Sequence, residues 1–118
     1  MKSANIKIQN FERRGPKEQQ IIDEFVTQVR NTFKERAQRI ILYGSRARGD
    51  AEEESDYDFL VLFEPFCDGD KKKLREIGFE ISLNHAVVIT AFAAELSDFT
   101  EDRYFYFHEN VCKEGIEL

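Results

Sequence analysis

The sequence predicts a small α/β (α+β) domain, with helices packed on a mixed β-sheet of three or more strands. Three observations carry that expectation. Two long segments, beginning near residues 16 and 70, set their large apolar side chains at helical spacing. Three short apolar runs, 40–43, 57–63 and 86–92, are too short for helices and read as strands. The two kinds of segment alternate along 118 residues, a length that suits one domain.

Residues 1–15 are polar apart from Met1, Ala4, Ile6, Ile8 and Phe11. Ile6 and Ile8 alternate with lysine and glutamine, so this stretch reads as an N-terminal arm or an edge strand, with the domain proper over 16–118. Gly15-Pro16 announces a helix, because proline suits a first helical position. Ile21, Ile22, Phe25, Val26, Val29 and Phe33 form its apolar face. Ile40 to Tyr43 is a buried strand ended by Gly44. Residues 45–55 carry nothing apolar larger than alanine and form a loop or a short helical turn. Tyr57 to Phe63 is the second strand, closed by Pro65. Asp70 to Leu83 is the second helix, with Leu74, Ile77 and Ile81 on one face and Asp70 as N-cap. Asn84-His85 turns the chain into a third strand, Ala86 to Phe92. Ser97 or Asp98 caps a last helix containing Tyr104, Phe107, Val111 and Cys112, and Gly115 suits its C-terminal end.

The formal charge is -6, from 23 acidic and 17 basic residues. That balance excludes a broad basic surface of the kind that grips a phosphate backbone, while leaving room for a single nucleotide. Cys67 and Cys112 lack the spacing of a zinc site and read as a reduced pair. No apolar run approaches the roughly 20 residues of a membrane helix, and the N-terminus has no secretory pattern. A soluble cytoplasmic protein is the expectation.

The chemistry concentrates in residues 44–58. Gly44 follows a buried strand, where a missing side chain lets phosphate approach the backbone. The Ser45 amide and hydroxyl could hold phosphate oxygens, and a helical turn starting there would add free N–H groups. Arg48 could neutralise departing pyrophosphate or pair with Asp50 and Glu52 to Glu54; for Arg46 the pairing role is the more ordinary one. Ten residues after Ser45, Asp56 and Asp58 alternate at the start of a strand, which puts both carboxylates on one face about 6.6–6.8 Å apart along the backbone. Two such carboxylates can share magnesium, which favours oxygen ligands. Attack on the α-phosphate of a nucleoside triphosphate is the reaction this layout suits.

Tyr43-Gly44-Ser45 followed by Asp56-Tyr57-Asp58 resembles the minimal nucleotidyltransferases of the DNA polymerase beta superfamily, whose small prokaryotic members carry Gly-Ser, ten residues, then Asp-x-Asp. The flanks Arg46-Ala47-Arg48-Gly49-Asp50 and Phe59-Leu60-Val61, and the closing Lys113 to Leu118, are also typical of that group. The resemblance implies a mixed sheet with helices on one side. It implies triphosphate on Gly44 and Ser45, and Mg2+ on Asp56 and Asp58 as both catalytic and metal-binding residues. ATP is the implied substrate. A HEPN protein, a small helical ribonuclease toxin, is the implied partner, silenced when AMP is attached to one of its tyrosines. Homo- or hetero-oligomers fit this picture.

One departure stands out. The family's third carboxylate belongs on the next strand, yet 86–92 contains no acid, and Glu80 and Glu95 lie outside it. A nucleotide-binding antitoxin that acts by complex formation is therefore an alternative. Antibiotic nucleotidyl transfer is a more distant one, because those relatives carry an extra substrate-binding domain. Arg103 and His108 match the R-x4-H pattern of HEPN ribonucleases, but the strand segments speak against that helical fold.

Overall fold

The computed structural model describes residues 9–10 and 15–118. Gln9–Asn10 form a two-residue strand, β1; Ile6 and Ile8, the alternating pair noted above, lie outside the described residues. Pro16 opens helix α1 (Pro16–Phe33), where its missing N–H leaves no helical bond unmade. Ile21, Ile22, Phe25, Val29 and Phe33 are buried along one face, as their spacing requires. A one-turn 3-10 helix (Lys34–Arg36) leads into β2 (Ala37–Tyr43). A four-residue helix, α2 (Ser45–Arg48), and a loop connect β2 to β3 (Tyr57–Phe63).

Helix α3 (Asp70–His85) departs from expectation at both ends. Asp70 is its first helical residue, and Gly69, at φ 89°, takes the capping position. The Asp70 carboxylate is drawn instead to Arg36, which donates at 2.6 and 3.0 Å, and to the Cys67 N–H at 2.8 Å. At the other end the helix runs through Asn84 and His85. His85 is held by Glu24 of α1 at 2.8 Å, and Ala86 adopts φ 55° so that its N–H and that of Val87 reach Ser82 O. Residues 86–88 are spent on this turn, and the third predicted strand becomes β4 (Ile89–Glu95), shifted three residues along the chain.

A second 3-10 turn (Leu96–Asp98) follows, and the last helix, α4 (Phe105–Glu114), begins well after Ser97 and Asp98. Gly115 leaves it at φ -67°, so the left-handed freedom of glycine is not used. The chain ends in β5 (Ile116–Glu117), a strand too short to have a readable period.

The sheet order is β1-β5-β2-β3-β4. β2 runs antiparallel to both β3 and β5, while β3–β4 and β1–β5 are parallel. One face, with Ile40, Leu42, Phe59, Val61 and Phe63, packs with α1 and α3; Phe25 stacks on Phe59 with centroids 3.9 Å apart. The opposite face, with Ile41, Leu60, Leu62 and Ala94, is covered by Phe99 and by Val111 and Phe107 of α4. Helices on one side only are thus not what forms. β2 and β3 are nearly continuous apolar runs, and such strands need cover on both faces. No helix among the described residues is long and apolar enough to cross a membrane.

Candidate functional site

The ladder between β2 and β3 sets Tyr43 opposite Asp58, so the residue after Tyr43 meets the second carboxylate of the pair. Gly44 has φ 79° and ψ -161°, a backbone region essentially reserved for glycine. A Cβ built there would fall on Oδ2 of Asp58 and lie 3.3 Å from its Cγ. The turn and the carboxylate are in contact because no side chain separates them. Gly44 O accepts from the Ala47 and Arg48 amides at 3.0 Å each, which winds the short α2. Among the described residues neither the amide nor the hydroxyl of Ser45 has a hydrogen-bond partner, so both can receive an anion.

Asp56 sits one residue before β3 and is exposed; Asp58 is half-buried on the strand. Tyr57, between them, is buried in the core on the opposite face. Burial, more than any neighbour, pushes the Asp58 carboxyl above the usual carboxylate range. Asp56 and Glu114 add to the rise, and Arg48 opposes it. The same local negative charge, after burial, helps lift the Tyr43 hydroxyl to about 12. Negative charge is therefore concentrated where a cation would relieve it. Among the described residues no group of three or more His, Cys, Asp or Glu forms a metal cage. A pair of carboxylates still suits magnesium, which is commonly held by one or two carboxylates together with substrate phosphates and water.

The two arginines divide their work. Arg46 is 8% exposed, so its charge is committed inside the protein. It donates to the carbonyls of Glu53 (3.1 Å) and Ser55 (2.9 Å), approaches Glu18, and lies 4.2 Å from the Tyr57 ring centroid. It thereby ties the first motif to the residue preceding Asp56, rather than pairing with the side chains of Asp50 or Glu52 to Glu54. Arg48 lies at the surface, bridging Asp50 at 3.1 Å and Glu114 at 3.0 Å.

Glu114 is the site residue that sequence reasoning missed. Its Oε1 accepts from both the Gly44 N–H (2.9 Å) and Arg48. β5 explains its arrival. Ile116 pairs with Leu42, so the chain just before β5 runs beside the end of β2 and carries Glu114 to Gly44. The only local signal was an acid next to the closing glycine.

No third acid joins Asp58 from the neighbouring strand. β4 places Thr90 beside it. Glu95, on the strand after all, sits opposite Phe63 at the far end, roughly 17 Å away at the rise of a strand, and accepts from the Phe66 N–H. Glu80 is exposed on α3. His108 of the R-x4-H pattern is buried against Phe99, its ring 5.2 Å from the phenyl, and belongs to the core.

Residues 22–110 match the family model described as a nucleotidyltransferase domain. The candidate protein adenylyltransferase MJ0604 of Methanocaldococcus jannaschii is 36% identical over 98 residues, 83% of this chain and 94% of that protein. A second from the same organism, MJ0141, is 38% identical over 72 residues, covering 60% and 73% respectively. Among solved structures, a toxin–antitoxin with AMP-PNP matches at a TM-score of 0.57 and 17% identity, covering 79% of this chain and 68% of that one. A mutant of the toxin–antitoxin MntA-HpeT matches at 0.57 and 18%, covering 81% and 70%. At these identities the solved structures show the shared fold.

Proposed function

The chain belongs to the nucleotidyltransferase domain family, and on that premise we propose that it transfers AMP from ATP, with Mg2+, to a tyrosine of a HEPN-type toxin in the cytoplasm, and so acts as its antitoxin. The general kind, a nucleotidyltransferase similar to protein adenylyltransferases, follows from the family and from the relatives. The observation that carries the nucleotide and magnesium part of this reading is the contact of Gly44 with Asp58, which joins a phosphate turn to a carboxylate pair. The named relatives favour a protein acceptor, and the toxin–antitoxin neighbours favour a toxin as that protein.

In this reading Ser45 binds phosphate through its amide and hydroxyl, and Gly44 keeps the approach open. Arg48 meets the β- and γ-phosphates by exchanging Glu114 for phosphate oxygen. Asp56 and Asp58 hold the magnesium, which when bound neutralises phosphate charge. Arg46 fixes the loop that presents Asp56. The acceptor hydroxyl oxygen bonds to the α-phosphorus as the bond to the bridging oxygen breaks. Pyrophosphate leaves with that electron pair, and the hydroxyl proton passes to solvent. Positioning and charge neutralisation supply the rate.

The acid-free position beside Asp58, at Thr90, favours a second reading: a nucleotide-binding antitoxin that silences its partner by contact alone. One experiment separates the two. The chain is incubated with the product of the adjacent gene, α-labelled ATP and magnesium. Label on a partner tyrosine, lost with Asp56→Asn plus Asp58→Asn, supports transfer. A double variant that still silences the toxin, with no label from the wild-type chain, supports contact.

A further inference from the structure

We propose that the groove between α3 and the outer strand β4 is the docking surface for the protein acceptor, and that it takes an extended, apolar and acidic segment of that partner. The inference rests on the protein-acceptor reading above and assigns it a place. It starts from the order of strands. On the α4 face, Tyr43, Asp58 and Thr90 stand in register on β2, β3 and β4, with neighbouring strands about 4.8 Å apart. The phosphate turn continues from β2, and the carboxylates belong to β3. Attacking and leaving oxygens lie roughly in line across the α-phosphorus. With pyrophosphate held on the β2 side, the acceptor hydroxyl must enter over β4.

β4 is shaped to receive it. Among the described residues it is the last strand of the sheet and pairs only with β3. The Val88 carbonyl accepts from the Tyr57 N–H, so the alternate backbone groups of Ala91 and Ala93 face away from β3. Beside this edge lies a cavity of about 780 Å³, lined by α3 from Lys72 to Ser82 and by residues 87–91. Ala91 keeps it open by being small. Toward the catalytic end Phe79 (65% exposed) and Val88 (55%) line it without cover, and Leu83 (68%), one helical turn on from Phe79, is exposed as well. Residues 86–88 turn the chain back so that the Ile89 amide bonds to Ser82, which sets α3 antiparallel to β4 and leaves Lys72, Arg75 and Glu76 lining the other end. The ten steps from Lys72 to Ser82 rise about 15 Å along the helix. Two basic side chains against one acid give that end a net positive charge on a chain of net charge -6, which favours an acidic stretch. Strand addition along an edge, with alternate side chains in flanking pockets, is an established way to capture an extended segment. Paired along the edge, the occupant sends alternate side chains to the two faces: on the α3 face, acids toward Lys72 and Arg75 and apolar groups near Val88, and on the α4 face, a residue whose hydroxyl reaches over Thr90.

The test uses the full chain and, as probe, the product of the adjacent gene that the chain labels or silences. Phe79→Ser plus Leu83→Ser, and separately Lys72→Glu plus Arg75→Glu, change exposed side chains outside the nucleotide site. Each should weaken partner binding by at least tenfold, the scale of central interface residues, and raise the KM for the acceptor while leaving magnesium–ATP binding unchanged. Hydrogen exchange should show the Ala91 and Ala93 amides protected in the complex. Wild-type affinity in both variants, or a complex that leaves these amides unprotected, overturns the proposal. So does protection that grows in the isolated chain with concentration, which assigns the edge to a second copy. Failure of the partner to bind the wild-type chain overturns it too. Edge protection without label transfer leaves the docking surface standing and removes the transfer reading instead.

Discussion

Replacing Gly44 by alanine separates backbone strain from damage to the carboxylate. Gly44→Ala forces a side chain into φ 79°, ψ -161°, at a cost of about 1–3 kcal/mol. It also drives a methyl group onto Oδ2 of Asp58, whose Cγ is only 3.3 Å from the new atom. The carboxylate must swing aside, and a misplacement of about 1 Å at a reacting centre costs on the order of 100-fold. Gly49 is the internal control. It too has positive φ, 88°, but a Cβ there meets nothing within 4 Å. Gly49→Ala should carry only the left-handed backbone cost, about 1–2 kcal/mol. Thermal unfolding measures the first effect, at about 4 °C per kcal/mol for a domain of this size. The shift in unfolding temperature on adding magnesium–ATP, and the rate of label transfer, measure the second. Both variants should unfold earlier, Gly44→Ala by the larger amount because it carries the clash as well, while only Gly44→Ala loses the nucleotide shift and at least 100-fold in transfer. Equal transfer by the two variants would refute the inference that glycine is required here to seat Asp58.

Three more outcomes follow from the same geometry. Glu114→Gln keeps an acceptor for the Gly44 amide but removes the charge that phosphate must displace from Arg48; an exposed pair of this kind is weak, so titration should show nucleotide bound tighter by no more than about fivefold. Asp58→Asn should raise the melting temperature of the metal-free chain at neutral pH while abolishing transfer. The folded-state Asp58 carboxyl is pushed up, so its protonated form is the stabilising one and that stability is lost as pH rises through the folded value. Asp70 has the opposite sign: Arg36 holds its carboxyl below the usual range, so its contribution is present above the unfolded value of about 3.9 and lost as pH falls through the folded one. Asp70→Asn should therefore cost about 2 kcal/mol near neutrality in denaturant unfolding, with the gap from wild type closing in acid.

What the sequence made legible is what repeats or lies close together. α1 and α3 announce themselves because one apolar face recurs every three or four residues, and β3 because seven residues offer enough positions to recognise a strand. The register of β4 was hidden. Val87 and Val88 have strand chemistry, and no residue type warns that Ala86 will turn left-handed and spend them on the approach. Two-residue β5 has no period at all, yet it carries Glu114 across 70 positions to the Gly44 amide. The proposed site divides along the same line. Its donor half, from Gly44 to Asp58, is written in fifteen consecutive residues, because a two-strand ladder suffices to bring a phosphate turn against a carboxylate. Its acceptor half has no contiguous motif. Thr90 acquires meaning only from its register with Asp58, and the groove beside it needs α3 to run antiparallel to β4. A nucleotide is a constant ligand that a short motif can specify. The surface that selects an acceptor is assembled from distant segments and can change while the donor motif stays fixed.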